Sequence, residues 1–127
     1  MHVLLVEPDS ILSQIYTKAL ERAGHSVAAT ANAQTAIYAA DMQTPDVVVL
    51  EMQLAQHSGA AFLYEFRTYS DWLHIPVIIH TMLPPSKLQQ FEQCLSELHV
   101  DTWLYKPRTS LSKLVSCIED QLPIPAS

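Results

Sequence analysis

Glycine is almost missing from this chain: only Gly24 and Gly59 occur in 127 residues. A phosphate-cradling loop needs two or three spaced glycines, so that its backbone can close on the anion, and loops of that kind are excluded. Cysteine is equally scarce. Cys94 and Cys117 lie far apart and in no Cys-x-x-Cys pattern, which reads as ordinary helix packing in a reduced, soluble, cytoplasmic protein. Charged residues make up only 16%, with 7 basic against 13 acidic and a net charge of −6. That balance has the wrong sign for a broad nucleic-acid footprint. Long apolar runs are absent as well. Met1–Val6 is a short burst stopped by Glu7, too brief for a secretory signal core or a membrane span. His2, His25, His57, His74, His80 and His99 show no i, i+4 pairing, so a histidine metal site is not expected. Ser10 and Ser58 have no histidine partner at a useful spacing, which argues against nucleophilic catalysis.

What is present is enough apolar material, 49%, for one well-filled core in one domain. The apolar residues alternate between two patterns. Val3-Leu4-Leu5-Val6 is an unbroken branched run, the pattern of a strand buried on both faces. Ile11, Leu12, Ile15, Ala19 and Ala23 then follow a helical spacing, ended by Gly24. His25–Ala29 is a weaker strand. Asn32 caps a helix from Ala33 to about Asp41, and Pro45 breaks the pattern before the strand Val47–Leu50. Gly59 opens a helix with Phe62, Leu63 and Phe66 inward, and Pro76–His80 is a fourth strand. Pro84-Pro85-Ser86 reads as a loop ending in a cap, followed by a helix through Leu88, Phe91, Leu95 and Leu98. Thr102–Tyr105 is a fifth strand stopped by Pro107. Leu111, Leu114, Val115, Ile118 and Leu122 make the last helix. Residues 1–122 thus form the domain, and 123–127 a tail or the start of a linker.

Strictly alternating strands and helices predict right-handed crossovers: a doubly wound, five-stranded parallel sheet with helices on both faces, an α/β three-layer sandwich of (βα)5 form. Such sheets place their sites at the carboxyl ends of the strands. Glu7, Pro8 and Asp9 follow the first strand, Glu51 the third, Thr81 and Met82 the fourth, and Lys106 the fifth. Clustered carboxylates repel unless a cation offsets them. Oxygen ligands of this type suit Mg²⁺, while a lysine and a hydroxyl suit a phosphoryl group. Simpler roles are open to each: Asp9 or Ser10 as cap of the first helix, Thr81 as strand packing, Lys106 as a surface lysine.

Taken in this order, the residues resemble the receiver domain of two-component response regulators, a flavodoxin-like fold, over about residues 2–122. Glu7-Pro8-Asp9 resembles the family's acidic cluster, and Glu51 falls where the strand presents the phosphoacceptor. Gly59 matches the glycine that starts the next helix, and Thr81 the switch hydroxyl. Trp103 is similar to the aromatic switch position, and Lys106-Pro107 to the family's Lys-Pro pair. The resemblance also implies a tight turn with a cis peptide at Lys106-Pro107.

The departures are as informative. The acceptor position holds Glu51, whose carboxylate reaches about 1.5 Å further than an aspartate's. In-line phosphoryl transfer needs its atoms placed within about an ångström. Pro8 stands where the family has the acid that binds Mg²⁺ directly. Met82 replaces a small residue and is expected to narrow the pocket, and Ala55 replaces a proline. The resemblance therefore implies a pseudo-receiver: not an enzyme, needing no cofactor, with Mg²⁺ weak or absent. Any metal would fall to Glu7, Asp9 and Glu51. Its partners would be signalling proteins, a histidine kinase or a downstream effector, with a homodimer through the face of the fourth helix and fifth strand as a further option. No direct contact with nucleic acid or membrane is implied. Two alternatives stay open. One is a phosphorylatable phosphorelay receiver using Glu51 or Asp9. The other is a small Mg²⁺-dependent phosphotransfer or phosphatase-type enzyme.

Overall fold

The computed structural model describes residues 1–54 and 58–121. Its strands are β1 (His2–Val6), β2 (Ser26–Thr30), β3 (Val47–Leu50), β4 (Val77–Thr81) and β5 (Thr102–Tyr105). Its helices are α1 (Ser10–Arg22), α2 (Ala33–Met42), α3 (Gly59–Phe66), α4 (Pro85–Leu88), α5 (Glu92–Glu97) and α6 (Leu111–Glu119), with short 3₁₀ turns at Ser70–Trp72, Gln89–Phe91 and Lys106–Arg108. All strand pairs are parallel, in the order β2-β1-β3-β4-β5. The direction of winding reverses between β1 and β3, and their carboxyl ends form the crevice where such sheets place a site.

The two-residue period of the strands sorts the core into two layers. Val3, Leu5, Val47, Val49 and Ile78 face Tyr16 and Leu20 of α1 and Leu114 and Ile118 of α6. Leu4, Val6, Val48, Leu50 and Ile79 face Ala36 and Ala40 of α2, Phe62, Leu63 and Phe66 of α3, Leu88 of α4 and Leu95 of α5. Every residue of β3 and β4 is buried, as a central parallel strand requires.

The predicted architecture holds, with four local corrections. First, β1 starts one residue earlier than expected, at His2, while β2 and β4 are shifted one residue along, to Ser26–Thr30 and Val77–Thr81. Second, Ser86 is no cap: Pro84 is the N-cap and Pro85 sits at the first helical position, where its missing N–H is harmless. Third, the single helix expected through Leu88 and Leu98 is split into α4, a 3₁₀ turn and α5. Fourth, no cis peptide occurs among the described residues, so Lys106-Pro107 is trans and the 3₁₀ turn Lys106–Arg108 makes the corner. Ala55, Leu122 and the tail at 123–127 lie outside the described residues.

The shortage of glycine has a local consequence. Gly24, at φ +94°, closes α1, but α5 is closed by His99 at φ +59°. A side chain in that left-handed region is strained by about 1 kcal/mol. The turn is held by Val100 N–H donating to Leu95 O at 2.8 Å, and by Arg67, a buried side chain reaching across from the end of α3. Arg67 Nε donates to Leu98 O at 2.9 Å and its Nη1 to Trp72 O at 2.7 Å.

Gly59 is fixed by close approach. A Cβ there would lie 2.8 Å from Met52 Cα and 2.9 Å from Glu51 O. Backbone cannot yield as a flexible side chain does, so Gly59→Ala is expected to lower stability by about 1–3 kcal/mol. Urea unfolding followed by far-UV circular dichroism measures this, and an unchanged midpoint would contradict it.

Candidate functional site

Strand register brings the polar residues together. β1 and β3 pair Val6 with Leu50, so Glu7 and Glu51 are each the next residue along. β4 and β5 pair Thr81 with Tyr105, so Lys106 follows directly beyond. The Glu7, Glu51 and Lys106 side chains are almost wholly enclosed, at 3%, 3% and 5% exposure. Neither a solvated loop carboxylate nor a surface lysine describes them.

Lys106 Nζ bridges the two acids. It donates to Glu51 Oε1 at 2.8 Å and pairs closely with Glu7 Oε1. Glu51 takes three further donors. Met82 N–H reaches Oε1 at 3.0 Å, Gln53 N–H reaches Oε2 at 3.0 Å, and the Thr81 hydroxyl donates to Oε2. Thr81 Oγ1 in turn accepts from Leu83 N–H at 3.0 Å. Burial by itself would raise the Glu51 pKa, but the bonds from Lys106, Thr81 and the two backbone amides outweigh it and hold the carboxyl below its ordinary value. Burial would lower the Lys106 pKa, and its two carboxylate partners reverse that.

Asp9 does not join this cluster. It is exposed, and its Oδ1 accepts from Ile11 N–H at 2.9 Å and Leu12 N–H at 3.0 Å as the N-cap of α1. The free amides of the first helical turn outcompete the pocket for that carboxylate. Only its backbone takes part, through Asp9 N–H to Glu7 Oε2 at 3.1 Å. Pro8 beside it supplies no acceptor side chain. Met82 contributes its amide, while its side chain is 49% exposed. Trp103 stands away from the carboxylates, on the edge strand, 36% exposed, with its indole N–H 3.4 Å from Val100 O. Among the described residues no group of three or more His, Cys, Asp and Glu is set to hold a metal ion.

Two residues that sequence reasoning passed over lie against the cluster. His80 precedes Thr81 and points to the other side of the sheet, onto Tyr16 of α1, edge-to-face at 5.0 Å. Burial and then the Lys106 charge push the His80 pKa down to about 4. Burial likewise raises Tyr16. The signal was available in part: a polar residue inside an otherwise apolar strand run, one position before a strand-end hydroxyl.

The doubly wound sheet thus gathers two acids, a hydroxyl and a lysine at the carboxyl ends of four of its strands. The family model for the response regulator receiver domain matches residues 3–119. The chain belongs to that family, and so is a receiver domain of two-component signalling. It is 34% identical over 79 residues to the probable transcriptional regulatory protein TcrX of Mycobacterium tuberculosis, covering 62% of this chain and 33% of that protein. It is 31% identical over 81 residues to the virulence transcriptional regulatory protein PhoP of Salmonella choleraesuis, covering 64% and 35%. The chain thus spans about a third of the length of the curated relatives it matches. Its fold is similar to that of the chemotaxis protein CheY4 of Vibrio cholerae, with a TM-score of 0.84, 23% identity, and coverage of 95% of this chain and 98% of that one. No helix among the described residues is long and apolar enough to cross a membrane.

The pKa shifts fix the sign of the pH response. His80 titrates near 6.5 unfolded and about 4 folded, so its contribution is complete above 6.5 and is lost as pH falls toward 4. On its own this removes on the order of 3 kcal/mol. Glu51, lowered from 4.5, acts in the same direction at more acid pH, while Lys106, raised from 10.5, loses its contribution only at alkaline pH. Thermal melts from pH 7 to 4 should show this decline, and His80→Leu should flatten it. A parallel decline in the variant would remove His80 as the cause. Lys106→Met should cost about 3–5 kcal/mol at pH 7, because it strands two buried carboxylates; a loss below 1 kcal/mol in chemical denaturation would contradict this.

Proposed function

We propose that this receiver domain is a pseudo-receiver: it works through protein contacts, without ordinary aspartyl phosphorylation and without catalysing a reaction of its own. The observation that carries this reading is the saturation of Glu51. A carboxylate offers about four lone-pair directions. Here two donors lie on each oxygen: Lys106 and Met82 on Oε1, Thr81 and Gln53 on Oε2. An acceptor carboxylate must turn a free lone pair toward phosphorus, and Glu51 would have to break a buried hydrogen bond to do so. The added methylene of glutamate also moves its oxygens relative to an aspartate's by more than in-line transfer tolerates.

Magnesium fits the same residues poorly. It favours one or two available carboxylates and retained water. Pro8 supplies no oxygen, Asp9 is engaged in capping α1, and Glu7 and Glu51 are already neutralised by Lys106. The built-in ammonium takes the place of a soluble cation. On this reading the partners are a histidine kinase or a downstream effector, met at the face of the α4–α5 segment and β5, and the charge state of the pocket does not change with phosphodonor supply.

Acetyl phosphate in magnesium, followed by intact mass, tests the proposal. Wild type should gain no adduct of about 80 Da, the mass of one phosphoryl group. Glu51→Asp alone should gain little, because the metal ligand is still missing. Glu51→Asp with Pro8→Asp should gain much more than the sum of the single changes, since acceptor and metal act as one unit. Ready labelling of wild type would overturn the reading in favour of an ordinary phosphorelay receiver. Millimolar magnesium should leave the wild-type tryptophan emission unchanged, and a micromolar titration would show that the metal finds ligands after all.

A further inference from the structure

We infer that the free edge of β2 is a self-pairing surface. Two copies of the chain join antiparallel along Ser26–Thr30 about a two-fold axis at Ala28, and Tyr38 and Met42 of α2 close over one face of the join. The pairing does not depend on whether Glu51 accepts a phosphoryl group. It leaves the opposite edge of each sheet, at β5, free for other partners.

β2 is outermost in the sheet and pairs with β1 alone among the described strands. Ser26 N–H donates to Met1 O at 3.0 Å, and Thr30 O accepts from Glu7 N–H at 2.9 Å. Bonding direction alternates along a strand, so Ser26, Ala28 and Thr30 face β1. Val27 and Ala29 turn their N–H and C=O groups outward, where no described residue meets them. Such an open row pairs with another strand unless shortness, charge, proline or a covering element prevents it. The other edge carries these devices: β5 has four residues, with Asp101 before it and Lys106-Pro107 after it. β2 has none of them in sequence, since no Asp, Glu, Lys, Arg or Pro occurs between Arg22 and Asp41. A chain of net charge −6 meets its own copy at least cost through a face without charge.

The surroundings of the edge select a second copy over a lone extended peptide. Antiparallel pairing about Ala28 sets Val27 of one copy against Ala29 of the other, so the outward N–H and C=O groups of both are bonded. It sets Ala28 against Ala28 at a close spacing of about 4.5 Å, which small side chains permit. A two-fold axis perpendicular to the sheet keeps like faces together, so the two α2 helices lie side by side. In α2, which packs over β1 and β2, Ala36 and Ala40 face the core, and Ile37 shares a groove with Ala61 and Glu65 of α3. At about 100° per residue, Ala39 and Met42 emerge on the side away from α3, toward the β2 edge, with Tyr38 beside them. Tyr38 and Met42 are 68% and 70% exposed. A stable interface covers roughly 800 Å² on each partner. One peptide strand falls short of that area and leaves Tyr38 and Met42 in water. The second α2 covers both, and a tyrosine alone can bury about 150–250 Å². Pairing consumes the open edge of each copy, so the assembly closes at two.

Sedimentation of the full chain over a range of concentrations tests this. Wild type should dimerise with a dissociation constant on the order of 10 µM, as suits an interface at the lower end of the stable range. Ala29→Pro removes an outward N–H, which an edge strand tolerates, and should weaken association at least about tenfold with the far-UV circular dichroism unchanged. Tyr38→Glu with Met42→Glu, on the exposed face of α2, should do the same without touching the strand. Trp103→Lys, at the β5 edge, should change the constant by less than about twofold. Ala28→Cys should give a covalent dimer under mild oxidation, linked from residue 28 to residue 28 in peptide mass, because the axis brings the two thiols together. Wild type, with Cys94 and Cys117 only, provides the background. Should Ala29→Pro unfold, the α2 variant and the cross-link decide by themselves. A chain still monomeric at about 1 mM would overturn the proposal. So would a dimer lost in Trp103→Lys and kept in Ala29→Pro, which would place the contact at the other edge. Species growing past the dimer would overturn the closed two-fold pairing. None of these outcomes bears on the pseudo-receiver reading, which is read from the mass of the acetyl phosphate product.

Discussion

The arrangement at the sheet's carboxyl edge depends on one ammonium group. Register alone forces Glu7 and Glu51 into neighbouring positions at the ends of β1 and β3, where the surroundings exclude water. Two buried carboxylates so placed cannot both stay ionised without a counter-charge. Lys106, one residue beyond β5, supplies it, and in doing so ties the ends of strands that are not neighbours in the sheet. A buried pair of this kind adds little net stability over an apolar replacement, but removal of one partner is severe. The lysine is thus better seen as a condition for the acids being there than as a source of stability.

The parity of the strands then decides what each side of the sheet feels. Thr81 and His80 are consecutive, so their side chains leave β4 on opposite faces. Thr81 holds Glu51, whereas His80 is packed against Tyr16 under α1. The charge cluster is therefore sensed on one face as a hydrogen bond and on the other as an electrostatic field acting on a buried imidazole.

Most of the fold was legible because central parallel strands demand uninterrupted apolar residues. Val47–Leu50, a wholly buried central strand, was placed to the residue, and so was the edge strand Thr102–Tyr105, which Pro107 stops. Boundary slips did not follow burial: the wholly buried β4 also started one residue late. β2 is an edge strand with half-exposed residues, and its start slipped by one. The stretch after Pro84-Pro85 has helical spacing but splits, since spacing does not reveal a 3₁₀ turn. In the site, Glu7, Glu51, Thr81 and Lys106 could be read from strand ends alone. Asp9 could not be resolved, because a carboxylate after a strand and before a helix has two claimants and only geometry shows that the cap wins. The amides of Gln53 and Met82 carry no sequence signature at all, since any residue has one. His80 was passed over because burial of a lone histidine depends on what stands across from it, here Tyr16 some sixty residues earlier.

The Arg67 clamp described for the fold has a mechanical consequence. Its guanidinium binds the carbonyl of Leu98, at the end of α5, to that of Trp72, in the connection leading to β4. The carboxyl-terminal end of the α4–α5 segment is therefore anchored to the scaffold, while its other end departs from the proline pair at Pro84-Pro85. One guanidinium thus joins the end of α5 and the connection into β4, so that the approaches to the two strands at this edge of the sheet share a single side-chain tie.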